Sequence, residues 1–337
     1  NGGVLTLEHC TLTKNRATSF FGGALANEDG STAQVNHCTV VDNFAQDNGG
    51  GIRNSETLVL KNSIVAGNEA TNSNKDLSTP GAGTATVITE GTNLLSATDI
   101  GGSSFDPGAA VLYADPPLAP LGHYGGPTQT MPALIGSPAI GAAATTDPDG
   151  TDQRGFSRFV DGDGDATAAL DIGAVEAGPI LVVNTAADEN DGVGTGDVSL
   201  RDAISAAAAP GQRITFDANV FDGEPDDTII LTNGQMTIGA SAPEGLYVDA
   251  SNLSSDVTID ADELSRILEI TPNNVVALQG LTLTGGKAPG SSFPGNSGGA
   301  IYNHESTLSL TASTLSGNSA STDGGGIFNA GAPAGGA

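Results

Sequence analysis

Basic residues are scarce. Lysine and arginine total 11 against 39 aspartates and glutamates, a net charge of -28 at pH 7. A basic surface for nucleic acid is therefore excluded, and an anionic polyuronate would meet repulsion rather than steering. Tryptophan is absent and tyrosine occurs four times, so flat platforms for stacking a sugar are few. No run of 18 apolar residues exists, which excludes a membrane-spanning helix. Cysteine appears twice. No secretory leader is visible before Asn1, so a processed chain or a fragment is expected.

Glycine is abundant, 48 of 337 residues, and it marks a repeat. Gly22-Gly23-Ala24-Leu25-Ala26-Asn27 returns as Gly49-Gly50-Gly51-Ile52-Arg53-Asn54. It returns again as Gly298-Gly299-Ala300-Ile301-Tyr302-Asn303 and Gly324-Gly325-Gly326-Ile327-Phe328-Asn329. Between the copies lie short alternating runs such as Leu58 and Leu60, or Leu308 and Leu310. A period of this length with two-residue alternation predicts an all-β solenoid, a right-handed parallel β-helix. One turn cannot bury its inward face alone, whereas stacked turns can. Two asparagine positions recur in register: Asn15, Asn43, Asn68 and Asn318, and Asn27, Asn54, Asn303 and Asn329. They are expected to stack as amide ladders along the axis. Cys10 and Cys38 each precede a ladder asparagine by five positions, where Ser63 and Ser313 stand elsewhere. They are expected as small stacked side chains on adjacent turns; a disulfide is allowed but not required.

In chain order, residues 1–110 read as the C-terminal turns of one β-helix. Residues 111–178 lose the repeat and gain prolines. Here Asp115-Pro116-Pro117-Leu118-Ala119-Pro120-Leu121, Gly125-Gly126-Pro127-Thr128-Gln129-Thr130 and Gly136-Ser137-Pro138-Ala139-Ile140 follow in order. Thr151-Asp152-Gln153-Arg154-Gly155 and Asp171-Ile172-Gly173-Ala174-Val175-Glu176 come next. This segment resembles the choice-of-anchor Q domain of bacterial surface proteins. The resemblance implies a terminator that ends the solenoid outside the cell. Residues 179–337 read as the start of a second β-helix of about six turns. Val198-Ser199-Leu200-Arg201-Asp202-Ala203-Ile204 resembles the CSLREA-type segment of surface β-helix proteins, with valine in place of its cysteine. Ser199 and Asp202 predict a capping box, and Leu200, Ala203, Ile204 and Ala207 an apolar helix face. Such a helix would cover the open end of the stack.

Alternating Asp161-Gly162-Asp163-Gly164-Asp165, with Asp171 beyond and Asp149 and Asp152 before, is the best hard-cation candidate, and calcium is the expected ion. The acidic groups Asp188–Asp191 with Asp197, and Asp222 to Asp227, are weaker candidates. Arg154 is expected to pin two loops rather than to catalyse. His9 and His37 sit beside the cysteines, but neighbouring residues on a strand point to opposite faces, so zinc is not expected.

The expected function is structural and non-enzymatic, extracellular or at the cell surface. The partner would be another copy or a neighbouring repeat. Val4, Leu5 and Leu7 at one end and Ile327 and Asn329 at the other have complementary phases, which suggests head-to-tail stacking. One alternative is an adhesin module for surface glycans. The other is a polysaccharide lyase or glycoside hydrolase, disfavoured because such a lyase needs a basic residue beside its calcium.

Overall fold

The computed structural model describes every residue except 1, 74, 81–84, 97–99, 102–109, 135, 145–149, 166, 195, 208–210, 224–226, 240–244, 252 and 332–337. The strands pair in parallel throughout, building a β-solenoid of about ten turns with one short helix. Two compact units result, residues 1–122 with 127–177, and residues 123–126 with 178–337.

In the first unit each turn repeats the same strands. The five-residue strands Val4–Glu8, Thr32–Asn36, Thr57–Lys61 and Thr86–Glu90 stack in that order. Their alternation sends Ala33, Val35, Leu58 and Leu60 into the interior, where each is fully buried. The three-residue strands Thr39–Val41, Ile64–Ala66 and Asn93–Leu95 are buried at every position. Val40, Val65 and Leu95 face the solenoid core. Val41, Ile64, Ala66 and Leu94 face outward, into a second core with Met131, Ala133, Ala139, Leu170 and Ile172. Consecutive apolar residues, rather than alternation, are what a sheet covered on both faces requires.

That second core corrects two expectations. Val111–Tyr113 is still a solenoid strand, paired with Asn93–Leu95, so the repeat does not stop at residue 110. The proline-rich segment after it does not act only as an end-piece. It runs back along the side of the stack, where Gln153 accepts from Thr11 Oγ1 of the first turn at 2.6 Å. The physical reason is the outward apolar row, which needs a cover. The segment is held by isolated antiparallel bridges, Leu118 to Ala133, Gly122 to Thr130, Thr151 to Ser157 and Val160 to Ala169.

The paired glycines of the repeat do two jobs. Gly49 takes φ +69°, which glycine tolerates. A Cβ on Gly50 would lie 2.1 Å from the carbonyl oxygen of Glu69 on the next turn.

In the second unit, Ile180–Val183, Gln212–Phe216, Leu246–Asp249, Val275–Gln279 and Thr307–Thr311 form the deepest sheet. It is five strands deep, against the about six turns expected, and Thr228–Ile230 and Met236–Ile238 are successive sides of one turn. The helix α1 spans Leu200–Ala206 with Ser199 as N-cap, and the capping box with Asp202 forms in both directions. Its Leu200, Ala203 and Ile204, with Ala207, join the core. It packs on Ile180–Val183, Gln212–Phe216 and Met236–Ile238, the first strands of the unit, as a cover for that end should.

Candidate functional site

The ladder asparagines are stacked and bonded. Asn15 donates from its backbone N and Nδ2 to Asn43 Oδ1 at 3.0 and 2.9 Å. Asn43 donates in the same way to Asn68 Oδ1 at 3.0 and 2.9 Å. Asn68 donates to Asp76 Oδ1 at 3.0 and 2.8 Å. Burial pushes the Asp76 carboxyl above its ordinary range. The second row links Asn27 Nδ2 to Asn54 Oδ1 at 2.8 Å, and Asn303 Nδ2 to Asn329 Oδ1 at 2.7 Å. Asn318 keeps the same orientation, its Oδ1 accepting from Gly286 N at 2.8 Å. Each amide thus satisfies a buried backbone that would otherwise be costly.

The motifs of residues 151–176 converge on a buried ionic knot. Asp152 Oδ1 accepts from Arg154 N and Phe156 N at 2.8 and 3.1 Å. Its Oδ2 accepts from Arg154 Nε at 2.8 Å and from Glu176 N at 3.0 Å. Arg154 also donates to the carbonyl oxygen of Glu176, the two-loop pin expected of it. Asp171 accepts from Gly141 N and Ala177 N. Glu176 accepts from Asp171 N at 3.1 and 3.2 Å and lies 3.7 Å from Arg158. Arg158 is almost fully buried and donates to the carbonyl oxygens of Asp171 and Gly173. Burial first, then the Asp171 charge, push the Glu176 carboxyl up to about 10. Three carboxyls, Asp152, Asp171 and Glu176, and two guanidinium groups, Arg154 and Arg158, share this buried space. Sequence reasoning missed Arg158; the signal available was a basic residue flanked by Phe156 and Phe159 in an acidic chain.

The structure brings together Asp161, Asp163 and Asp165, each offering a carboxylate oxygen within 4.8 Å of the others. Asp152 and Asp171 do not join them, being engaged in the knot, and Asp149 lies outside the described residues. Local amides already use these carboxylates: Gly164 N donates to Asp161, Asp165 N to Asp163 and Thr167 N to Asp165. Asp188 clasps Arg201 through two hydrogen bonds of 2.7 and 3.0 Å and accepts from Thr232 N and Asn233 N. Of the group from 222 to 227, residues 224–226 lie outside the described ones, and Asp227 accepts from Gly223 N at 2.6 Å.

Cys10 and Cys38 are free thiols. Each donates to the carbonyl two residues earlier, at 3.1 Å, as Ser63 and Ser313 do at 2.9 Å. Burial pushes the Cys38 thiol up to about 12. His9 and His37 stack with ring centroids 5.5 Å apart. Val4 stands in the outward row with Thr32 and Thr57 and is 78% exposed, while Leu5 and Leu7 share the inward phase. No helix among the described residues is long and apolar enough to cross a membrane.

No protein-family model matches the chain and no curated protein does. Neither the choice-of-anchor Q resemblance nor the CSLREA-type one is therefore shown by comparison. Among solved structures the chain is similar to the PL6 family alginate lyase AlyGC, at 11% identity and a TM-score of 0.26, covering 97% of this chain and 48% of that one. A point mutant of the same enzyme gives 12% identity and a TM-score of 0.25, covering 91% and 42%. The chain spans less than half the length of these structures.

Proposed function

We propose that this chain is a non-enzymatic structural β-solenoid of a bacterial cell surface or extracellular filament, extended by stacking or tandem repetition. One observation carries the reading. The recurring and motif-borne polar groups are committed to holding turns together: the asparagine rows, the knot of Asp152, Arg154, Arg158, Asp171 and Glu176, and the Asp188 to Arg201 clasp. A catalytic site needs groups poised toward substrate, with shifted pKa values in a cleft. The strongly shifted Glu176 is instead sealed in the interior. Residues 111–178 and 198–204 supply surface-protein motifs by resemblance, which agrees with an extracellular location. The Asp161 to Asp165 loop is the place for calcium, a stabilising ion and not a reactive one.

The test is direct. Purified chain is incubated with alginate and with polygalacturonate, with and without calcium, and unsaturated ends are followed by ultraviolet absorbance. Turnover that survives repurification would overturn the structural reading in favour of a lyase. Binding to glycan without turnover would favour the adhesin alternative. Thermal unfolding with and without chelator tests calcium; an unchanged midpoint would remove the ion from the proposal.

A further inference from the structure

The chain holds two cysteines, and the fold puts both in one stacked row. Thr11 pairs in register with Thr39, and Thr39 N donates to the carbonyl oxygen of Cys10 at 2.9 Å. Cys10 and Cys38 therefore lie side by side on neighbouring turns. The row continues to Ser63, whose Oγ accepts from Cys38 N at 3.0 Å, and to Asn93, whose Oδ1 accepts from Ser63 N at 3.0 Å. The two thiols are held alike, donating to the carbonyl oxygens of Glu8 and Asn36 at 3.1 Å. The Cys38 sulfur is also within hydrogen-bonding reach of the backbone N and the thiol of Cys10. Cys38 is fully buried in the core of the first unit, and Cys10 packs against that core. Neighbouring strands lie about 4.8 Å apart, inside the Cα separation of about 4.4–6.8 Å that a disulfide spans. The row itself does not need sulfur, because Ser63 makes the same bond to the carbonyl two residues earlier at 2.9 Å. What sulfur adds over oxygen at this position is the capacity to be oxidised.

We infer that Cys10 and Cys38 form an oxidation site, a pair that closes into a disulfide across two turns. The co-reactant is a small disulfide of the oxidised-glutathione class. One cysteine, as thiolate, attacks it; a mixed disulfide forms and one small thiol leaves. The other cysteine then attacks the protein sulfur of that mixed disulfide, and the second small thiol leaves. The protein gives up two protons and two electrons, and the small disulfide takes them. The pair meets as the turns form, so closure accompanies folding and does not require a reagent to enter the finished core. The closed bond ties one turn to the next in addition to the parallel strand pairing.

The test compares folded and unfolded chain in the same redox mixtures. The full chain is refolded from urea in a series of reduced and oxidised glutathione mixtures, and a second sample is held in urea in the same series. After acid quench, the refolded chain should weigh two hydrogens less and carry no glutathione, and a proteolytic peptide should join Cys10 to Cys38. The folded chain should reach half-oxidation in a mixture about tenfold or more less oxidising than the urea-held chain needs, because the stack brings together thiols that the open chain keeps apart. Equal midpoints, or glutathione retained on the folded chain, would overturn the site. This comparison uses the parent chain, so it decides even where a variant fails to fold. The register is tested by moving one thiol. Cys10→Ser with Ser63→Cys shifts the pair by one turn and should close as the parent does. Cys38→Ser with Ser63→Cys sets the thiols two turns apart and should stay reduced when folded. Closure in the second variant, or failure of the first with circular dichroism unchanged, would also overturn the site.

Discussion

Replacing Glu176 by glutamine should leave the fold intact and flatten its response to pH. Glu176 is 1% exposed, and its neighbours Asp171 and Asp152 oppose a further negative charge. Folded, it holds its proton up to about pH 10; unfolded, it releases it near the ordinary 4.5. Between those values the folded state binds more protons than the unfolded one, so this group's contribution falls as pH rises. It is fully present below pH 4.5 and is lost by about pH 10. The slope is about 1.4 kcal/mol per pH unit, so urea unfolding of the first unit at pH 6 and at pH 8 should differ by about 3 kcal/mol from this residue. Glutamine keeps an oxygen to accept from Asp171 N and removes the proton from the balance. The variant should lose that slope, match the parent within about 1 kcal/mol near pH 4.5 and exceed it by about 3 kcal/mol at pH 7. Glu176→Ala, by contrast, leaves Asp171 N without its acceptor and opens a cavity, and should cost about 2–4 kcal/mol. A glutamine variant with an unchanged slope, or one as damaged as alanine, would show that Glu176 is ionised against Arg158.

Asn43→Ala should cost about 1–3 kcal/mol by chemical denaturation, since it removes the acceptor of Asn15 N and Nδ2 and the donor to the carbonyl oxygens of Leu12 and Val41. Gly50→Ala should destabilise the first unit by about 3 kcal/mol or more, since its Cβ would meet the Glu69 carbonyl oxygen at 2.1 Å; circular dichroism melting checks it. At pH 8 a maleimide should modify Cys38 only after denaturant is added, because the thiol is buried and held up to about 12. Rapid labelling of native Cys38 would contradict its burial.

The solenoid was legible because its physics is local and repeated. Leu58 and Leu60 alternate, Gly49 and Gly50 turn the chain, and Asn43 recurs at a fixed distance from Asn68. The helix was legible for the same reason, since Ser199 and Asp202 are three residues apart. Contacts between distant segments were not. Val41, Ile64 and Leu94 announced a covered sheet only in hindsight, because nothing local says that Leu170 and Ile172 return to cover it. The aspartates separated in the same way. Asp161, Asp163 and Asp165 are neighbours by sequence and remain so, while Asp152 and Asp171 are drawn off by backbone amides far along the chain.

Asp76 has a consequence for length. An amide can take a hydrogen bond on its oxygen and pass one on from its nitrogen, so a row of amides behaves like a growing polymer with a reactive end. A carboxyl carries no N–H to pass on. Where Asn68 meets Asp76, propagation stops, as at a chain terminator in a polymerisation. One side chain thus fixes where along the stack the row of Asn15, Asn43 and Asn68 ends.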